Sequence, residues 1–452
     1  MATVDIPGMR NLLGLKNVKQ IQSEGILSFL MNGWQEYGDF FFVELGTSGL
    51  HVVVDPDDVR KVLVSNKDNY VKGSVYDSTR NYLLGNGIVT STGEDWLWQR
   101  RLLAPFFTPR GIEQYLQTFI DEGTKVIDKW AQQHNSETVL DMNEEMAYIA
   151  LAIILKVIFS VESEDDLNQV KDDVEIMFDF VGARQRNIVK APLWMPTEHN
   201  QRYKNARNRL HRFIEDLIEQ RKSTPKDQWG NDLLSKMLLA NETETERQFS
   251  AQDIIDQCIT FFVAGHETTA RSLTFALYAI STNPDVEASF INEIDREMSS
   301  TTPKIEELKQ MPYLLRTIKE TLRLYPSAAF YPRNVVGTDT LSGYTVTEGM
   351  QVFLFPYATH RHPDYWENPD QFEPNRFAPE KEAERHPYAY APFSGGQRIC
   401  IGNNFSLLES QVMLSLIYKR FKPQLVAGHD PQIKATATLV PTNGMLMTLQ
   451  TR

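Results

Sequence analysis

Two stretches near the ends of the chain run apolar between turn residues, and nearly everything between them repeats its apolar positions every three or four residues. Phe40 to Leu45 and Leu50 to Val54 flank Gly46-Thr47-Ser48-Gly49, which predicts a β-hairpin. Ala435 to Val440 and Met445 to Leu449 flank Pro441-Thr442-Asn443-Gly444 in the same manner, predicting a second hairpin. Helical periodicity predicts helices over 111–134, 142–161, 203–222, 251–281, 312–324 and 403–420. The expected fold class is mainly α with small antiparallel β-sheets (α+β). No repeat, low-complexity tract or long linker interrupts the pattern, so one intertwined domain over 1–452 is expected.

The 251–281 segment is apolar on most of its circumference (Ile254, Ile255, Ile259, Phe261, Phe262, Val263, Leu273, Phe275, Leu277), as befits a helix through a large core. Polar residues inside it need a reason. Ala264-Gly265-His266-Glu267-Thr268-Thr269 places a glycine, costing about 1 kcal/mol against alanine, and two β-branched threonines midway along the helix. The Thr268 hydroxyl can return a hydrogen bond to the Ala264 carbonyl, which loosens a helix and predicts a notch. Read alone, the run also fits a kink tolerated for packing.

Composition narrows the class. The chain has 452 residues, 42% hydrophobic and 23% charged, enough for a large core with an enclosed pocket. A net charge of -13 and a pI near 5.3 disfavour nucleic acid and anionic lipid surfaces as general partners. Two cysteines, Cys258 and Cys400, exclude a disulfide framework and suit a reducing compartment. The N-terminus carries no signal-peptide pattern, and no window approaches the ~18 to 20 apolar residues of a membrane span. A cytoplasmic protein with no membrane span is expected.

A lone cysteine is ordinarily an inert small hydrophobe. Cys258, within the apolar helix, is read that way. Cys400 sits in Phe393-Ser394-Gly395-Gly396-Gln397-Arg398-Ile399-Cys400-Ile401-Gly402, where glycines allow tight turns and close backbone approach. Asn403-Asn404 then offers an N-cap for the next helix, whose dipole and free N–H groups would stabilise a thiolate. An aromatic seven residues before the cysteine, an arginine two before and a glycine two after together resemble the haem-binding signature of the cytochrome P-450 superfamily.

The resemblance, strongest to soluble bacterial members, implies a haem b (iron protoporphyrin IX) enzyme with a long central helix over the haem. It makes Cys400 the proximal iron ligand, sets Phe393 beside the sulfur with Gly402 following, and pairs Arg398 with a haem propionate. The family's acid-alcohol pair matches Glu267 and Thr268, which would organise proton delivery to the distal oxygen, with Ala264 and Gly265 making room for dioxygen. Glu320 and Arg323, three apart in the 312–324 helix, are by themselves a weak surface-pair signal. With Arg376 in Phe372-Glu373-Pro374-Asn375-Arg376-Phe377 they resemble the family's buried structural triad. Trp96 and Arg100 share the spacing of its propionate helix, and Arg333 falls where many members place another propionate-binding arginine. His360-Arg361-His362 is a poor zinc pattern and is read as structural.

The implied reaction inserts one oxygen atom from O2 into a lipophilic small molecule by hydroxylation or epoxidation. Candidate substrates are a fatty acid, a terpenoid or another lipid. With no attached reductase in view, electrons are expected from a ferredoxin or flavodoxin served by an NAD(P)H-dependent reductase, and a monomer is expected. Pocket candidates by the family pattern are Tyr76 to Ile88, Phe261, Ala328, Ala329, Phe330 and Ala437. Several motifs look like those of soluble bacterial fatty-acid hydroxylases, although the arginine that some of them use for a carboxylate has no clear match. The rival readings are a peroxide-driven peroxygenase, a haem-thiolate isomerase or dehydratase, and a non-catalytic haem sensor. The first two lack a need for the Glu267–Thr268 pair.

Overall fold

The computed structural model describes residues 5–46, 48–133, 137–161, 163–186, 191–244 and 247–452. Thr47 in the first turn, His134 at the end of the 111–134 helix and the start Met1 to Val4 lie outside these. The chain gathers into two compact units: Met1–Gly73, Gly123–Met146 and Thr268–Arg452 form the first, Ser74–Glu122 and Ala147–Glu267 the second.

Helices dominate. Those used below are α1 (Gly93–Leu103), α2 (Leu116–Gln133), α3 (Met142–Phe159), α4 (Glu198–Ser223), α5 (Leu233–Thr243), α6 (Ala251–Ser281), α7 (Pro312–Leu324) and α8 (Asn403–Arg420). The sequence bounds of α6, α7 and α8 match at both ends. Pro312 opens α7 at its first position, where a missing N–H costs nothing, and Pro326 follows its end. The predicted 111–134 helix is two helices. Thr108 caps the first, accepting from the Gly111 N–H at 3.1 Å, and α2 starts separately at Leu116. Periodicity missed the helices Leu15–Glu24, Ile26–Tyr37, Glu164–Arg186 and Pro284–Glu297.

In the first unit, strands β1 (Gly8–Met9), β2 (Phe40–Leu45), β3 (Ser48–Val53), β4 (Tyr70–Val71), β5 (Tyr331–Val335) and β6 (Gln351–Leu354) form one sheet in the order β1-β2-β3-β6-β5-β4. The predicted first hairpin is β2–β3, from Phe40↔Val53 to Leu45↔Ser48. The β1–β2 and β3–β6 pairings are parallel, so this sheet is mixed. Its buried side packs Phe40, Val53, Val59, Leu63, Tyr331 and Leu354 into one apolar cluster.

The second predicted hairpin does not form. Ile433–Ala435 pairs with Leu439–Pro441, the chain reversing where the Thr436 N–H donates to the Thr438 carbonyl at 2.8 Å. Leu446–Thr451 instead pairs with Phe421–Leu425 and with Leu140–Asp141. Alternation fixes which face a strand buries but not its partner, and the longer ladder wins because it buries Met447 and Leu449.

In the second unit Asp232 ties three elements. It caps α5 by accepting from the Ser235 N–H at 2.8 Å, accepts from the Ser160 hydroxyl at 2.6 Å and ion-pairs with Arg221 of α4 at 2.6 Å. The Phe180 ring stacks on Tyr203 of α4 at 4.0 Å. Asp232→Ala removes a cap and leaves a largely buried guanidinium short of its carboxylate, so a loss of about 3 to 5 kcal/mol is expected, read as a lower urea midpoint at unchanged slope.

Candidate active site

Cys400 closes a loop that leads directly into α8. Its N–H donates to the Phe393 carbonyl at 2.9 Å, and the Ile399 N–H donates to the Gly396 carbonyl at 3.2 Å. Gly396 has φ +59°, and a Cβ there would lie 2.2 Å from the Leu63 carbonyl oxygen, so only glycine fits. A Cβ on Gly402 would lie 3.9 Å from the Cys400 sulfur, which places that α-carbon beside the sulfur. The expected Asn403–Asn404 cap is not made. Gly402 is the N-cap residue, without a side-chain bond, and Asn403 is already helical, its Oδ1 accepting from the Asn404 N–H at 2.6 Å. Cys400 is exposed, and Phe393 and Arg398 are half-buried. Cys258 is wholly buried, and burial pushes its thiol up.

Three side chains that sequence reasoning did not assign to the site grip this loop or its supports. The Tyr331 hydroxyl on β5 faces the Pro392 and Ala391 carbonyls at 2.7 and 3.0 Å and accepts from the Ser394 N–H at 3.1 Å. His360, fully buried, lies 3.1 Å through Nδ1 from the Arg323 carbonyl, while Nε2 accepts from the Ala391 N–H at 2.9 Å. That assigns the proton to Nδ1. Burial holds His360 down at about 3, so the ring is neutral. Ser327 donates to the Thr268 carbonyl at 2.8 Å and lies 2.9 Å from the Ser272 hydroxyl. Only the His360-Arg361-His362 segment carried a sequence signal.

Glu320 and Arg323 of α7 are both fully buried and paired through both carboxylate oxygens at 2.7 Å. Arg323 spends its other three N–H groups on the carbonyls of His360 (2.9 Å), Pro369 (2.6 Å) and Gln371 (2.9 Å). Arg376 joins more loosely. Its Nε lies 3.3 Å from Glu320 Oε1 but is not aligned for a hydrogen bond, and its firm bond is to the Asn368 carbonyl at 2.8 Å. The Glu373 N–H takes the remaining place on Glu320 at 2.9 Å.

α6 runs unbroken from Ala251 to Ser281, so the expected notch is not a helix break. Ala264, Gly265, His266, Glu267 and Thr268 are all half-buried, whereas the residues on either side are buried. The missing Gly265 side chain faces Ile154 of α3, where a Cβ would lie 2.9 Å from the Cδ1 atom, so this glycine also serves helix packing. The Thr268 carbonyl accepts from Ser272 as well as Ser327, and Thr269 donates to Ser406 of α8 at 3.2 Å.

Elsewhere in the second unit, Trp96 is buried and Arg100 half-buried, one turn apart on α1. Within the predicted Tyr76–Ile88 region, the Asn86 and Ile88 N–H groups donate to Asp256 (2.7 Å) and Gln257 (3.0 Å) at the start of α6. The Phe261 ring packs on Phe107 at 5.2 Å. In the first unit Ala329 is buried, Ala328 packs against the sheet cluster and Phe330 stacks on Phe355 at 5.2 Å. Ala437 is exposed at its turn, where the Leu439 N–H donates to the Ser327 carbonyl at 3.1 Å.

One feature of the first unit suits a haem. Arg333 is 5% exposed, and its one hydrogen bond to a described residue goes to the Pro332 carbonyl at 2.8 Å. Its spare donors fit a carboxylate such as a propionate.

A family model described as cytochrome P-450 matches residues 6–449. Cyclooctat-9-en-7-ol 5-monooxygenase of Streptomyces melanosporofaciens is 30% identical over 87% of this chain and 84% of its own. Human cytochrome P-450 4V2 is 30% identical over 90% of this chain and 81% of its own. The solved haem domain of cytochrome P-450DA superposes with a TM-score of 0.91 at 25% identity, covering 100% of this chain and 99% of that one.

His360 gives a pH test. Its folded pKa of about 3 lies below the ordinary 6.5, so the unfolded chain binds a proton first as pH falls. The associated stability is whole above pH 6.5 and drains between there and about 3. Unfolding free energies measured across that window should fall less steeply in His360→Gln, by about one proton at most. An unchanged slope would remove His360 from the acid limb.

Proposed function

The chain belongs to the cytochrome P-450 family and is a monooxygenase, and on that premise we propose that it inserts one oxygen atom from O2 into a lipophilic substrate by hydroxylation or epoxidation. The observation that carries this reading is the Cys400 loop: an exposed sulfur at the head of α8, on a backbone that Gly396, Tyr331 and His360 fix. A family model spanning 6–449 supports one haem domain over 1–452.

Cys400 is the proposed iron ligand, with Phe393 packed near the sulfur and Gly402 leaving it room. When bound, haem b supplies an iron whose thiolate ligand favours O–O cleavage. Arg398, Arg333, Trp96 and Arg100 are the proposed propionate donors, through charge-assisted hydrogen bonds. The Glu267 carboxyl lies one residue before the Thr268 hydroxyl, and this half-buried pair would pass protons into the site. Ala264, with no side chain beyond Cβ, leaves space in the same run, and Gly265 beside it lets Ile154 pack close. Glu320, Arg323 and Arg376 position the loop without touching substrate.

Phe261, Ala328, Ala329, Phe330 and Ala437 are proposed to line the substrate pocket, and their small or aromatic side chains favour a bulky apolar molecule such as a fatty acid or terpenoid. The name of the streptomycete relative, a monooxygenase of cyclooctat-9-en-7-ol, supports a lipophilic substrate. Electrons would come from a ferredoxin or flavodoxin and its NAD(P)H-dependent reductase. The two cysteines are not joined in a disulfide, which suits a reducing, cytoplasmic setting, and no described helix is long and apolar enough to cross a membrane.

Cys400→His should abolish the thiolate-type red shift of the reduced carbon monoxide complex; survival of the shift would sink the ligand assignment. Thr268→Ala should keep haem and oxygen uptake while diverting most electrons to hydrogen peroxide, read as peroxide formed per NAD(P)H consumed. Coupling at the parent level in that variant would take Thr268 out of the proton path.

A further inference from the structure

One phenol reaches the backbone of Cys400 through a single peptide group. The peptide between Phe393 and Ser394 points its N–H at the Tyr331 oxygen, 3.1 Å away, and its carbonyl accepts the Cys400 N–H at 2.9 Å. The same hydroxyl oxygen lies 2.7 Å from the Pro392 carbonyl and 3.0 Å from that of Ala391, to which it donates. Tyr331 therefore holds both peptides that flank Phe393. A peptide is planar and rigid, so fixing its N–H end fixes the orientation of its carbonyl end. Hydrogen bonds in such a chain also polarise one another, which strengthens Phe393 as an acceptor for Cys400.

The loop needs this grip. Ser394 has φ +62°, a left-handed conformation uncommon for a residue with a side chain, which persists only where neighbours enforce it. Tyr331 is well placed to enforce it, being 9% exposed and on the central sheet, two residues before Arg333. Phenylalanine would fill the same apolar space, so packing alone does not account for the hydroxyl.

We propose that Tyr331 is a positioning residue for the Cys400 sulfur, its hydroxyl setting the peptide that holds the Cys400 N–H and so the geometry in which the thiolate meets the haem iron. This rests on the haem-thiolate reading above. The hydroxyl keeps the sulfur from drifting off the iron and taking up a proton.

The test compares the holoenzyme with Tyr331→Phe and with 3-fluorotyrosine at position 331, which is nearly isosteric and has a more acidic hydroxyl. Tyr344→Phe is the control: Tyr344 packs against the same apolar cluster, and its hydroxyl makes no hydrogen bond to a described residue. In the reduced carbon monoxide complex, Tyr331→Phe should keep the red-shifted band but convert to the thiol-ligated form about tenfold faster, the effect of one buried hydrogen bond lost. Its ferric–ferrous midpoint potential should move as well. Fluorotyrosine, whose oxygen is a weaker acceptor for the Ser394 N–H, should speed the conversion by less than Tyr331→Phe and move the potential the same way. Should Tyr331→Phe fail to fold, the fluorotyrosine protein decides alone. Parent-like rates and potentials in both proteins, or equal changes in Tyr344→Phe, overturn the proposal while leaving the Cys400 assignment intact. Loss of the red shift in the parent protein itself would instead overturn the haem-thiolate reading.

Discussion

The surroundings of Cys400 depend on a guanidinium that does not meet water. Arg323 places all five of its N–H groups, two on Glu320 and three on the carbonyls of His360, Pro369 and Gln371. Taking an ion pair out of water costs several kcal/mol per charge, and only such complete pairing offsets it. Lysine could not substitute, because its three donors radiate from a point whereas the arginine fork reaches a carboxylate and three separate chain segments at once. Trp366 beneath the guanidinium, 4.9 Å from its ring centre, adds an apolar floor.

From that ion pair the constraint passes outward through neutral groups. His360 is drawn in twice by Arg323, through its carbonyl and through Nδ1, and hands the order on to the Ala391 N–H. Tyr331 takes Ala391, Pro392 and Ser394 from the side of the sheet, and Gly396 lets the loop lie against the Leu63 carbonyl. A metal ligand is only as well placed as the groups behind it, and here those groups come from α7, the His360 turn and β5.

The polar residues of α6 divide among distinct tasks. Asp256 and Gln257 hold the N–H groups of Asn86 and Ile88, and Gly85 comes so close to the Asp256 carboxylate that a Cβ would sit 2.2 Å from it. Burial raises the Asp256 pKa, partly offset by the Asn86 N–H and the Gln252 amide. Thr269 and Ser272 tie the helix to Ser406 and Ser327. The half-buried run from Ala264 to Thr268 is the part of the helix that the proposed proton path uses.

The sequence alone determined the features that are local in the chain. The bounds of α6, α7 and α8 follow from periodicity and proline placement, the β2–β3 hairpin from its turn, and the cysteine loop from its glycines, because each depends on residues a few positions apart. Arg323 with Glu320 was legible as a spacing, and its burial only through the resemblance that Arg376 completes. Tertiary structure decided the rest. Which strand Leu446–Thr451 would join, that Gly402 rather than an asparagine caps α8, that Gly265 faces Ile154, and that Tyr331 and His360 grip the loop all depend on groups brought together from distant positions. A tyrosine carries the same hydroxyl, and a histidine the same two ring nitrogens, as polar ends wherever it lies. Only the packed fold specifies which backbone groups those ends must satisfy, because burial is what makes leaving them unpaired costly.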